Sequence, residues 1–122
     1  MQPFQVVVFQ GDMDTARCLA AVLASHLDSI HIARRFDEAC TSVARHRANA
    51  LIVDMEVLHF SEIAALRREF PGLTIICTHR LADEAMWTAA IEAGATDMCT
   101  SGDAAQILQA LLNQMSRMAA AA

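Results

Sequence analysis

The chain contains no lysine: all nine basic residues are arginine, set against fourteen acids for a formal net charge of −5 over 122 residues. Any role that a lysine ammonium would fill must fall to arginine or go unfilled. Basic residues never cluster beyond the pairs Arg34-Arg35 and Arg67-Arg68, so the positive stripe that nucleic-acid binding requires is missing. No apolar run approaches the roughly 20 residues of a membrane-spanning helix. The opening MQPFQVVVFQGD has neither the basic start nor the small-residue cleavage site of a secretory signal. A cytoplasmic location is expected, with no nucleic-acid or membrane partner for this domain. Cys18, Cys40, Cys77 and Cys99 form no CxxC, and each sits within an apolar segment. Buried, reduced thiols are therefore expected, with a Cys77 and Cys99 redox pair as the weaker alternative. There is also no GxGxxG or DxHxxG, which leaves a small-molecule-binding role without its phosphate loop.

What is present is 55% hydrophobic and poor in aromatics. The core must be built from Ala, Leu, Ile, Val and Met, a composition that suits helices packed on a sheet. The length is that of one domain, residues 1–122, able to bury roughly two thirds of its unfolded surface without disulfide or metal staples.

Strand and helix signals alternate along the whole chain. Phe4 to Phe9 reads as a buried strand, broken by the turn at Gly11. Thr15 to Leu27 is helical, with Asp14 as the expected N-cap and Leu19, Val22, Leu23 and Leu27 on its apolar stripe. Ile30 to Ala33 is a second strand, and Phe36 to Arg47 a second helix burying Phe36, Cys40 and Val43. Ala50 to Asp54 is the third strand, followed by a helix from Ser61 through Phe70 that Pro71-Gly72 stops. Leu73 to Thr78, a helix over Asp83 to Ala93 ended by Gly94, and Asp97 to Thr100 complete the pattern before Asp103 caps a final helix. The tail from Met118 to Ala122 reads either as that helix's end or as a remnant foreign to the domain.

Five strand–helix units in strict alternation imply an α/β fold: a doubly wound five-stranded parallel sheet with helices on both faces. Functional groups in such sheets gather at the carboxyl ends of the strands. Those ends carry Gln10, Gly11 and Asp12 after the first strand, Asp54 after the third, Thr78 after the fourth and Ser101 just beyond the fifth.

ALIVDME, TIICT and EAGATDM, in that order and spacing, resemble the receiver domain of bacterial two-component response regulators over essentially the whole chain. The resemblance implies the flavodoxin-like, CheY-like (βα)5 strand order 2-1-3-4-5. It also implies a phosphoacceptor at Asp54, a switch hydroxyl at Thr78 and a second switch position at Met98. Receiver chemistry, on this resemblance, further needs an acid pair that holds Mg²⁺ and a lysine that binds the phosphoryl oxygens. Gln10 and Gly11 occupy the acid-pair positions, and Ser101 occupies that of the lysine. Asp12 and Asp54 remain as a weak Mg²⁺ candidate, and Glu56, His79 and Arg80 are the expected site neighbours. With lysine absent, Arg80 is expected to dock on Asp54; capping of Asp54 by backbone amides is the alternative. His59, His79 and Asp54 outline a metal site that their spacing does not support. Trp87 is expected either to anchor a partner or to pack on the final helix.

The leading expectation is a non-enzymatic, cofactor-free pseudo-receiver in phosphorelay signalling. It would contact a kinase, output domain or other signalling protein, or form a homodimer, through the face of the fourth helix, fifth strand and fifth helix. The alternative is a working receiver phosphorylated on Asp54 by a histidine kinase.

Overall fold

The computed structural model describes residues 4–121. The five strands are β1 (Gln5–Phe9), β2 (Ser29–Ala33), β3 (Ala50–Asp54), β4 (Thr74–His79) and β5 (Asp97–Thr100). They alternate with α1 (Met13–Ala24), α2 (Phe36–His46), α3 (Phe60–Glu69), α4 (Glu84–Ala93) and α5 (Ala104–Ala121). All strand pairs are parallel, in the order β2-β1-β3-β4-β5. Strand order and alternation are therefore those expected from the sequence.

The period-2 geometry of the strands divides the core in two. Val7, Phe9, Leu51, Val53, Ile75 and Cys77 point to one face, where Ala39 and Val43 of α2, Ile63 and Leu66 of α3 and Ala90 of α4 cover them. Val6, Val8, Ala50, Ile52 and Ile76 point to the other, beneath Ala16, Leu19 and Leu23 of α1 and Ile107 and Leu111 of α5. Central strands apolar on both faces are what a sheet sandwiched between helices demands.

Several local expectations are corrected. Asp12, not Asp14, is the N-cap of α1, because its carboxylate accepts from Asp14 N at 3.2 Å and from the Thr15 hydroxyl at 2.7 Å. Val22 lies outside the apolar stripe and is exposed. Cys18 is exposed and Cys40 half-buried, so only Cys77 and Cys99 are the expected buried thiols. These two lie on opposite faces of the sheet, which rules out their pairing as a disulfide. His59 rather than Ser61 stands at the start of α3. Gly94 ends α4 at φ +117, as its position suggested, in a region open to glycine and strained for other residues.

Arg67, which the sequence pattern marks only as a charge in a helix's last turn, pins the sheet's lower end. Its guanidinium donates to the carbonyls of Leu73 (2.6 Å), Gly94 (2.9 Å) and Pro71 (3.0 Å). Burial lowers its pKa. One side chain thus ties the α3–β4 turn to the α4–β5 junction, satisfying carbonyls that the helix ends leave without partners.

Candidate functional site

At the opposite end, the strand termini converge. Asp54 closes β3 and Thr78 is its register partner on β4; the two are 6% and 0% exposed. Gln10, immediately after β1, is 2% exposed. Its amide Nε2 donates to Thr78 Oγ1 and to Phe9 O, both at 3.1 Å. The Thr78 hydroxyl lies 3.3 Å from Val53 O and 3.4 Å from Gln10 Oε1, either of which accepts its proton. Thr78 is thereby held inward by a neighbour that carries no charge.

Asp54 is held just as fully. Oδ2 accepts from Gly11 N and Oδ1 from Glu56 N, each at 2.9 Å. The carboxylate clasps the β1–α1 loop to the β3–α3 loop, and charge-assisted bonds of this kind are about twice as strong as neutral ones. This is the backbone capping that stood as the alternative to Arg80. Arg80 itself is ion-paired with Glu56, two residues past the end of β3, at the rim. The expected docking of Arg80 on Asp54 is corrected accordingly.

Gly11 is required by space. A Cβ there would stand 3.0 Å from Val57 Cγ1 and 3.2 Å from Asp54 Oδ2, so an acid side chain enters only if its neighbours give way. Val57 and Thr15 were not singled out from the sequence. Thr15 was findable, as a hydroxyl three residues after an acid at a helix start.

Gln10, Gly11, Asp12, Asp54, Glu56, Arg80 and Ser101 line one cavity of about 360 Å³. The structure thus brings together most of the residues expected at the site. Three lie elsewhere: Met98 is buried in the core on the α2–α3–α4 side, His79 Nδ1 accepts from Leu81 N at 2.9 Å, and His59 N donates to Glu62 at the start of α3.

The donor set does not fit Mg²⁺. Asp12 is committed to capping α1, and Thr15, then the Asp14 amide, hold its carboxyl below the usual range. Asp54 is committed to two amides. Among the described residues no three His, Cys, Asp or Glu side chains gather in a metal-binding group, and a hexacoordinate hard cation needs oxygen ligands that are free to turn toward it. The His59, His79 and Asp54 metal outline is likewise not assembled.

No helix among the described residues is long and apolar enough to cross a membrane. Neither a protein-family model nor a curated protein sequence matches the chain. Solved structures do. A CheY-like response regulator receiver domain from Methanospirillum hungatei superposes with a TM-score of 0.85 at 12% identity, covering 99% of this chain and 100% of that one. A response regulator from Thermotoga maritima gives 0.84 at 20% identity, covering 95% and 99%. The signal receiver domain of a DNA-binding response regulator from Colwellia psychrerythraea gives 0.80 at 16% identity, covering 93% and 98%. At these identities the likeness is one of fold, and the fold of this chain is that of response regulator receiver domains.

Proposed function

We propose that this domain is a pseudo-receiver: a two-component signalling module that acts through protein contacts, with its Asp54 site fixed in one state by the chain's own groups. The observation that carries this reading is the double clasp on Asp54 beside the Gln10–Thr78 bond. Phosphoryl transfer to a carboxylate needs a free oxygen lone pair aimed at phosphorus and cations that neutralise the transferred oxygens. Here each Asp54 oxygen already accepts a backbone amide that orients and stabilises it, the acid-pair positions carry Gln10 and Gly11, and the lysine position carries Ser101, so no cation is supplied to neutralise the transferred oxygens. The domain catalyses no reaction and needs no cofactor. Its partner surface is the α4–β5–α5 face, where Trp87 is 47% exposed and its indole N–H donates to Asp97 at 3.3 Å. That bond sets the Trp87 ring at the edge of β5 rather than packing it away, as an aromatic anchor for a kinase, output domain or other signalling protein requires.

A second reading, a working receiver phosphorylated on Asp54, draws on the pairing of Asp54 with the buried Thr78 and on the cavity that Asp54 lines. The test is a titration with beryllofluoride and Mg²⁺ followed by backbone amide NMR. The pseudo-receiver reading expects no saturable shifts at Gly11, Asp54 or Thr78. Saturation at sub-millimolar Mg²⁺, with shifts centred on Asp54 and Thr78, favours the working receiver.

A further inference from the structure

The two edges of the sheet are treated differently. On β5 the outward N–H groups are closed by the chain itself: Met98 N donates to Asp97 Oδ1 at 2.8 Å and Thr100 N to Gln106 Oε1 at 3.1 Å. Within β2 no side chain closes Ile30 or Ile32 among the described residues; only Arg34, one residue past the strand, has its N–H taken, by Glu38 Oε2 at 3.2 Å. Met55 N donates to Thr78 O and Thr74 N to Asn49 O. Counting the ladder's alternation from these bonds across the registers of β4, β3 and β1 leaves Ile30 and Ile32 with their N–H and C=O groups turned outward. The strand SIHIA carries no lysine, proline or bulge, the devices that ordinarily guard an edge.

We infer that β2 pairs antiparallel with β2 of a second copy of this chain about a two-fold axis at His31, joining the two sheets into one. The sequence is self-complementary about that point. Ile30 falls opposite Ile32 of the second copy, in register for each to exchange both backbone bonds, and Asp28 falls opposite Arg34. Asp28 and Arg34 are exposed, and neither makes an ion pair within the chain among the described residues. The dyad therefore supplies two Ile–Ile contacts and two opposite-charge contacts from one palindromic stretch, and a heterologous partner would have to match that pattern by coincidence. This surface is distinct from the α4–β5–α5 face and leaves it free.

Sedimentation velocity on the full chain over a dilution series, with Asp28→Arg, Arg34→Asp and the double exchange, tests the inference. Wild type forms a reversible dimer. Each single reversal sets like charges opposite at both contacts and weakens the dimer about tenfold or more, while the double exchange restores it. Circular dichroism unchanged in these surface variants confirms that each is folded. In a Cys18→Ser background, His31→Cys oxidises to a covalent dimer through the non-hydrogen-bonded central pair, whose spacing suits a disulfide. A monomer at every concentration up to the solubility limit overturns the inference. So does a dimer that ignores the single reversals, that the double exchange fails to restore, or that His31→Cys does not cross-link.

Discussion

Replacing Asp54 by asparagine preserves shape and changes only what the two oxygens can accept. In the native site Oδ2 of the buried Asp54 takes the Gly11 N–H and Oδ1 the Glu56 N–H, both at 2.9 Å in part-buried bonds. Hydrogen bonds to a charged acceptor contribute about 1.5–3 kcal/mol each. Asparagine keeps one of these as a weaker neutral bond and turns an NH₂ toward the other amide, which belongs to an exposed residue, Gly11 or Glu56, and must turn to water instead. Relief of a buried charge offsets part of the loss. The expected result is a destabilisation of about 2 kcal/mol for Asp54→Asn and more for Asp54→Ala, which loses both acceptors. Urea unfolding followed by the fluorescence of Trp87 measures it, with the slope checked for two-state behaviour. A stability equal to or above that of wild type for Asp54→Asn refutes the clasp, because it shows that neither amide depends on the carboxylate.

Arg67→Ala strands the carbonyls of Leu73, Pro71 and Gly94 and lowers stability by about 3 kcal/mol in the same assay, with Arg67→Lys recovering only part of it; a loss below about 0.5 kcal/mol contradicts the role assigned to it. His31 stacks on His46 at 3.8 Å and lies beside Gln5 and Ser29, with Glu38 and Arg45 lining the same hollow. Burial, then the charge of His46, lowers its pKa from the ordinary 6.5. The folded state therefore favours the neutral ring: stability is full above about pH 6.5 and declines as pH falls through the folded value. Urea midpoints between neutral and mildly acidic pH should fall in wild type and fall less in His46→Gln; parallel curves argue against the coupling. Thiol titration should find Cys18 reactive in the native protein and Cys40 slower. Cys77 and Cys99, pushed up to about 12 by burial, should react only after unfolding.

The sequence resolved elements best where punctuation is unambiguous. Asn49 and Asp54 bracket a wholly apolar run, and β3 is Ala50–Asp54 as read; Asp97–Thr100 is β5 likewise. Asp83 and Asp103 cap helices because nothing nearby competes for the amides of Met86 and Gln106. At α1 two acids did compete, and Asp12 won through the Thr15 hydroxyl. Within the site, position was legible and pairing was not. Strand-end logic gathered Gln10, Asp54 and Thr78, but the choice of Arg80 between Asp54 and Glu56 depends on a loop path that no periodicity encodes. Arg67 shows the same limit: its partners come from the α3–β4 turn and a segment 27 residues along the chain.

Intact-protein mass spectrometry decides whether Asp54 is closed to phosphoryl transfer. The chain is incubated with a small-molecule acyl phosphate and Mg²⁺, alongside Asp54→Asn as the blank. With Asp54 closed, wild type and blank remain equally unmodified at every donor concentration. A hydroxylamine-labile phosphoryl adduct that forms on wild type and is lost in Asp54→Asn contradicts it.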